Sequence, residues 1–188
     1  MEFPTTCDIV IIGGGVMGAS TAYHLAARGM KKIALLEKEA FFGQGATGRC
    51  AGGVRYQFAT DVNIRLSLAS LPMMERFEDE MGQSIDYRQC GYLFLLTRSE
   101  DVRVFEHNVH LQNGLGVPTR WVGGDEIRRW LPMMRLEDVI SGTFNAKDGL
   151  VDPNGVVMGY ILAAQRSGVN ALAEVEVLDI RVEHGRVV

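Results

Sequence analysis

Gly13, Gly15 and Gly18, followed by a carboxylate at Glu37, are the residues whose types and spacing most plainly imply chemistry. In the run Gly13-Gly14-Gly15-Val16-Met17-Gly18, the first glycine permits a tight turn out of a strand. Gly15 removes the Cβ that would keep a pyrophosphate off the backbone, and Gly18 lets a helix pack closely on the strand. Val16 and Met17 then open a helix whose unpaired N–H groups and partial positive charge face the phosphates. Glu37 follows about 20 residues past the last glycine, where a carboxylate accepts hydrogen bonds from ribose hydroxyls and repels a 2′-phosphate. The arrangement is a dinucleotide cradle. Alone it suits NAD and FAD equally, since both carry the same ADP half.

A second group decides between them. Residues 43–55, GQGATGRCAGGVR, hold five glycines. Gly45, Gly48, Gly52 and Gly53 allow close approach, Thr47 offers a hydroxyl to phosphate, and Arg49 and Arg55 bring two cations to an anionic group. A NAD enzyme has no need of a second glycine-rich loop just past the acidic residue. A longer dinucleotide that runs a flavin deep into the protein does. The plain alternative is a mobile surface loop.

These residues need elements to hold them. Cys7–Ile12 reads as a strand buried on both faces, Val16–Arg28 as a helix closed by Gly29, and Lys32–Leu36 as a second strand. Together they form a βαβ unit with parallel strands. Asp61–Met81 is helical in pattern but interrupted by Pro72, which predicts two helices or one kinked one. Further strands are expected at 91–97, 117–122 and 139–144. A helix capped by Ser99 should reach about Asn113, and a short one should cover 125–130. Asp152-Pro153 reads as an N-cap with proline at N1, opening a helix to about Arg166. Residues 173–183 and 186–188 suggest a strand pair turned at His184-Gly185. The fold expected is α/β (α+β overall): a Rossmann-like βαβ domain interrupted by a partial antiparallel-sheet domain and truncated at its C-terminus. The boundaries expected are 1–84, 85–148 and 149–188.

Composition excludes several classes. The 188 residues are 47% hydrophobic and 22% charged with a net charge of −4, which is ordinary globular composition without a basic face for nucleic acid. The first residues lack the basic, apolar pattern of a signal peptide, and no apolar run is long enough to span a membrane. Cys7, Cys50 and Cys90 are odd in number and widely spaced, which argues for reduced thiols in a cytoplasmic protein. His107 and His110 share a helical spacing but lack a third ligand, so no metal site is expected.

The segments DIVIIGGGVMGASTAYHLAARG (8–29), LLEK (35–38), GATGRCAGGVR (45–55), CGYLFLLT (90–97) and DGLVDPNGVV (148–157) resemble the FAD-dependent oxidoreductases of the D-amino-acid oxidase superfamily. The nearest branch holds sarcosine oxidase β subunits, proline dehydrogenase β subunits, dimethylglycine dehydrogenase and glycine oxidase. The resemblance implies that Gly13, Gly15, Gly18 and Glu37 hold the ADP half, with Lys38 beside the adenosine. Gly45, Ala46, Thr47 and Arg49 would lie along the pyrophosphate and ribityl chain, and Gly52, Gly53 and Val54 near the flavin ring. Val177 would meet adenine through its backbone. Arg55 would bind the carboxylate of an amino-acid substrate, a role suited to a bidentate guanidinium; its alternative is a flavin-side or structural ion pair.

The implied reaction is hydride transfer from the carbon beside the amine to flavin N5, giving an imine that water hydrolyses. Oxygen or another acceptor would take the electrons, and the resemblance implies other oxidase subunits as partners in a hetero-oligomer. Pro153 stands near the place of a flavin-bearing histidine of sarcosine oxidase β subunits, and none of the four histidines lies near the second loop. Non-covalent FAD is therefore expected. Relatives continue past Val188, so the chain is expected to be an N-terminal part. The competing functional readings are a non-catalytic FAD-binding or assembly subunit and a NAD(P) dehydrogenase.

Overall fold

A computed structural model describes residues 5–187; Met1–Pro4, at the start of the segment read against a signal peptide, and Val188, the last residue of the expected terminal strand, lie outside them. In order the elements are β1 (Ile9–Ile12), α1 (Val16–Ala27), β2 (Ile33–Leu36), β3 (Gly53–Val54), α2 (Asp61–Glu75), α3 (Phe77–Met81), β4 (Tyr92–Leu96) and α4 (Ser99–Gly114). Then follow β5 (Arg120–Gly123), α5 (Gly124–Trp130), β6 (Ser141–Asn145), β7 (Gly149–Leu150), α6 (Pro153–Arg166), β8 (Asn170–Leu172), β9 (Val182–Glu183) and β10 (Arg186–Val187). They divide into two compact units. The first takes the described residues of Met1–Ala51, Phe77–Ile85 and Asp152–Val188; the second takes Gly52–Arg76 and Asp86–Val151.

The first unit is the Rossmann-like one. Its sheet runs β1-β2-β8, with both pairings parallel. All four residues of β2 are buried, as a central strand demands. The buried residues of α1 are small, namely Ala19, Ala22 and Ala26. Helix α6 opens as its sequence predicts, with Pro153 at N1 and the Asp152 carboxylate accepting from Asn154 N. Phe77 of α3 is wholly buried and meets Tyr160 of α6 edge to face, with centroids 5.0 Å apart.

Two expectations need correction here. β1 starts at Ile9 rather than Cys7, and only one of its faces is covered. Val10 and Ile12 are 51% and 55% exposed and alternate with the half-buried Ile9 and Ile11, the pattern of a strand covered on one face. The long C-terminal strand pair is also absent. Asn170–Leu172 instead joins the parallel sheet, and the turn at His184-Gly185 closes only the two-residue pair β9–β10. Glu174, at φ 57°, breaks the extended path two residues past the end of β8.

The second unit holds the antiparallel sheet β4-β6-β5 and the two-residue pair β3–β7. One cluster of its core is Tyr56, Ile64, Leu71 and Val117; another is Val122, Ile127, Leu136 and Val139. The first cluster explains why residues 52–76 belong to this unit, and not to the opening segment 1–84 drawn from pattern. Ile64 and Leu71 share one face of α2 and pack with Tyr56 and Val117, far along the chain. The chain therefore leaves the first unit twice, at 52 and at 86.

Other local readings shift as well. Val117 and Val139 are core residues ahead of β5 and β6 and not members of them. Residues 53–54, read as loop, form β3. Ser99 is the first helical residue of α4, with Arg98 at the N-cap and no side-chain cap bond. Helix α2 continues through Pro72 and ends at Glu75, so the break between two helices falls at Arg76.

Candidate functional site

In the first unit a cleft of about 560 Å³ opens at the N-terminus of α1. Its floor is Ile12, Gly13, Gly15 and Gly18, and Glu37, Lys38, Thr47 and Val177 stand around it. Gly13 leaves β1 at φ +101°, a conformation side chains resist. A Cβ on Gly18 would lie 2.0 Å from the Gly13 carbonyl oxygen, so the turn closes only on glycine. Helix α1 has no side-chain cap from its own N-cap Gly15 and no acidic residue in its first turn. Its cap comes from the second loop instead: Val16 N donates to Thr47 Oγ1 at 3.1 Å. That hydroxyl keeps its own proton to donate outward. Glu37 is held by the backbone, Oε2 accepting from Gly14 N at 2.7 Å and Oε1 from Glu39 N at 3.0 Å. A carboxylate oxygen has a second lone pair, so both remain able to accept.

The second unit has a cavity of about 230 Å³ lined by Arg55, Gln57, Phe58, Phe94, Phe105 and Thr143, with α4 supplying Asn108, Val109 and Gln112. The Arg55 guanidinium lies 4.9 Å from the Phe58 ring centroid, 5.4 Å from Phe94 and 5.7 Å from Tyr92. Its Nε is buried without a hydrogen-bond partner, as is Gln112 Oε1. Cation–π contact holds such a charge but leaves its N–H donors unspent. Beside it the Asp148 carboxylate is wholly buried and accepts from Tyr56 N and Gln57 Nε2. Burial pushes Asp148 above the usual carboxylate value, while those two hydrogen bonds and the charge of Arg55 pull it back.

A glycine cradle at the start of α1 and a carboxylate just past the end of β2 are the parts of a dinucleotide site. Residues 8–188 match the family described as FAD dependent oxidoreductase (DAO). The chain belongs to that family. Dimethylglycine dehydrogenase, mitochondrial, of Rattus norvegicus is 32% identical over 169 residues, 89% of this chain and 20% of the relative. Sarcosine oxidase subunit beta of Rhodobacter capsulatus is 27% identical over 186 residues, 96% of this chain and 45% of the relative. The crystal structure of L-proline dehydrogenase from P. horikoshii superposes with a TM-score of 0.89 at 34% identity, covering 98% of this chain and 48% of that one. The chain thus spans from a fifth to just under half of these relatives' length.

The cleft suits the family's cofactor, FAD. A Cβ on Gly15 would stand 3.3 Å from Thr47 Oγ1, in the space a pyrophosphate needs at the N-terminal end of the helix. Of the residues singled out from sequence, Gly13, Gly15, Val16, Met17, Gly18, Glu37, Lys38, Gly45, Ala46, Thr47 and Val177 all line this cleft. Met17 is 78% exposed there. Arg49 is exposed and does not line it, because the turn at 47–50 folds on itself through Cys50 N and Sγ donating to Thr47 O. Gly52, Gly53 and Val54 fall in the second unit, Gly53 and Val54 forming β3. Arg55 lines the second cavity.

Sequence reasoning missed Ile12, Leu36, Glu39, Val175 and Glu176 in the cleft. It also missed the polar wall of the second cavity, Gln57, Gln112 and Thr143, and Asp148 beside it. Val175 is placed by its N–H donating to Glu37 O at 2.8 Å, a contact between segments far apart in sequence. The DGLVDP segment was the available pointer to Asp148. Among the described residues no group of three or more His, Cys, Asp or Glu could hold a metal ion, and no helix is long and apolar enough to cross a membrane.

Proposed function

We propose that this chain carries the FAD cleft and the carboxylate anchor of an oxidoreductase that oxidises the C–N bond of a secondary or tertiary amino acid, sarcosine-, dimethylglycine-, proline- or glycine-like. The observation that carries the reading is Arg55: a cation with an unspent, buried Nε–H, lining a cavity walled by Phe58, Phe94 and Phe105. A cavity with aromatic walls, a few polar side chains and one unsatisfied cation selects a small organic anion. The names of the relatives supply the class of anion.

Gly13, Gly15 and Val16 would hold the pyrophosphate, Glu37 the ribose and Val177 the adenine. Thr47 would donate its free hydroxyl proton to a phosphate oxygen. FAD, when bound without a covalent tether, supplies a two-electron acceptor for the hydride beside the nitrogen. Arg55 fixes the substrate carboxylate and so sets which carbon is presented, while the aromatic walls exclude water. Oxygen or another acceptor reoxidises the enzyme, and the subunit name of the R. capsulatus relative supports partner chains.

The test is anaerobic mixing of the FAD-loaded full-length protein with sarcosine, dimethylglycine, proline and glycine. Bleaching of the flavin by at least one is expected. Bound flavin that none of them bleaches overturns the reading in favour of a non-catalytic FAD-binding subunit. Arg55→Ala should raise KM for the active amino acid about 10- to 100-fold, the loss of a charge-assisted pair. An unchanged KM removes Arg55 from the role.

A further inference from the structure

Asp148 is the least exposed charged group of the second unit and no part of the chemistry above requires it. It is 0% exposed, in the DGLVDP segment just ahead of β7. Its two oxygens are spent on one short stretch of chain. Oδ1 accepts from Tyr56 N at 2.7 Å, and Oδ2 accepts from Gln57 Nε2 at 2.9 Å. The Gln57 amide is fixed at its other points. Nε2 also donates to Tyr92 O at 2.9 Å, and Oε1 accepts from Thr143 Oγ1 at 2.8 Å. Tyr56, Gln57 and Thr143 are themselves buried.

The stretch so pinned begins immediately after Arg55. Asp148 does not hydrogen-bond the guanidinium; it acts on Arg55 through charge alone, while Arg55 Nε stays unpartnered. A direct ion pair would neutralise the cation and spend its donors. A carboxylate held one residue away balances the charge and leaves the donors open.

We propose that Asp148 is a positioning residue for Arg55. It fixes the backbone at Tyr56 and the amide of Gln57, so that the guanidinium stands among Phe58, Tyr92 and Phe94 with its Nε–H free for an incoming carboxylate. The proposal rests on the reading of Arg55 as the carboxylate anchor. It also assigns a purpose to Gln57 and Thr143, which relay the restraint to β4 and β6. Asparagine cannot replace Asp148, because it offers one acceptor oxygen where two donors converge. Reversing the Gln57 amide does not rescue it, since its oxygen would then face Tyr92 O.

The experiment uses the FAD-loaded full-length protein and benzoate, a carboxylate that cannot be oxidised at an amine carbon. Calorimetric Kd for benzoate is measured beside KM and kcat for the active amino acid, in wild type, Asp148→Asn, Arg55→Met and the double variant. Asp148→Asn should weaken benzoate and raise KM by about 10-fold, with kcat at saturation changed less than about 3-fold. In the Arg55→Met background it should have no further effect on benzoate, since the restraint acts through Arg55. Thr143→Val removes only the far hydroxyl and should shift both constants the same way by about 2- to 3-fold; it carries the test if Asp148→Asn does not fold. If Arg55→Met leaves benzoate binding intact, the anchor reading itself fails. If Arg55→Met weakens binding but neither Asp148→Asn nor Thr143→Val does, the anchor stands and the positioning role falls. Additive losses in the double variant also overturn it.

Discussion

The cleft of the first unit and the cavity of the second are built from opposite materials. The cleft is a main-chain device: Gly13 turns, Gly18 closes on the Gly13 carbonyl, and the carboxylate and hydroxyl that face it, Glu37 and Thr47, are bonded to the N–H groups of Gly14, Glu39 and Val16. The cavity is a side-chain device. Arg55, Phe58, Phe94, Phe105, Gln112 and Thr143 come from four separate elements and loops, and its polar order comes from side-chain hydrogen bonds through Gln57. A site made of backbone tolerates almost no added atom but is indifferent to the identity of most side chains. A site made of side chains accepts small changes of volume and fails when one polar partner is lost.

The largest effect expected from that contrast is Gly18→Ala. The new methyl would meet a carbonyl oxygen at 2.0 Å, and neither the strand end nor the helix start can move without opening the cradle. Overpacking of this kind costs about 1–3 kcal/mol, equivalent to roughly 5- to 150-fold weaker FAD retention. The flavin-to-protein ratio after desalting reads it directly. Benzoate binding in the second unit, measured on protein reloaded with excess FAD, should be unchanged. A Gly18→Ala protein that keeps full FAD would show that the cleft is not backbone-limited.

Thr47→Val tests one of the two side chains, with Glu37, on which the cleft does depend. It keeps the shape but leaves Val16 N without its partner at the first turn of α1, a loss comparable to an N-cap, about 1 kcal/mol. FAD affinity should fall about 5-fold by that figure, and Thr47→Ser should restore it. If Thr47→Ser behaves like valine, the hydroxyl is not the working group and the methyl packing is.

The same contrast explains what could be read from sequence. β1, α1, β2 and the glycine turn were legible because every requirement lies within thirty or so neighbouring residues, and main-chain needs appear as glycine spacing. Asp152-Pro153 was legible for the same reason. Arg49 was marked by type and spacing as a cation near phosphate, and the turn at 47–50 leaves it outside the residues that line the cleft. β8 was misread because nothing local distinguishes Asn170–Leu172 from the residues after it; its place is set by pairing with Ala34–Leu36. Residues 52–76 went to the wrong unit because their core partner is Val117. Asp148 was visible only as a motif that agreed with the family, since its partners Tyr56 and Gln57 lie some ninety residues away, at separations of 92 and 91.

The smallest effect expected is on the pH dependence of stability, where two carboxylates of the second unit shift in opposite directions. Burial raises Asp148 above the ordinary 3.8 against its hydrogen bonds and the charge of Arg55. A hydrogen bond from Arg98 holds the exposed Asp101 below that value. For Asp148 the native state binds protons more tightly than the unfolded chain. Its contribution is therefore complete below the ordinary value and lost as pH rises through the folded one. For Asp101 the sign reverses: the contribution is present above the ordinary value and lost as pH falls through the depressed one. In urea unfolding from about pH 3 to about pH 7, the stability of wild type minus that of Asp148→Asn should fall as pH rises, and the difference from Asp101→Asn should rise. A difference for Asp148 that grows with pH would mean that the network of Tyr56, Gln57 and Arg55 more than repays the burial of its charge. The side-chain cavity would then be as tightly specified as the backbone cleft, and the contrast between the two units would rest on glycine alone.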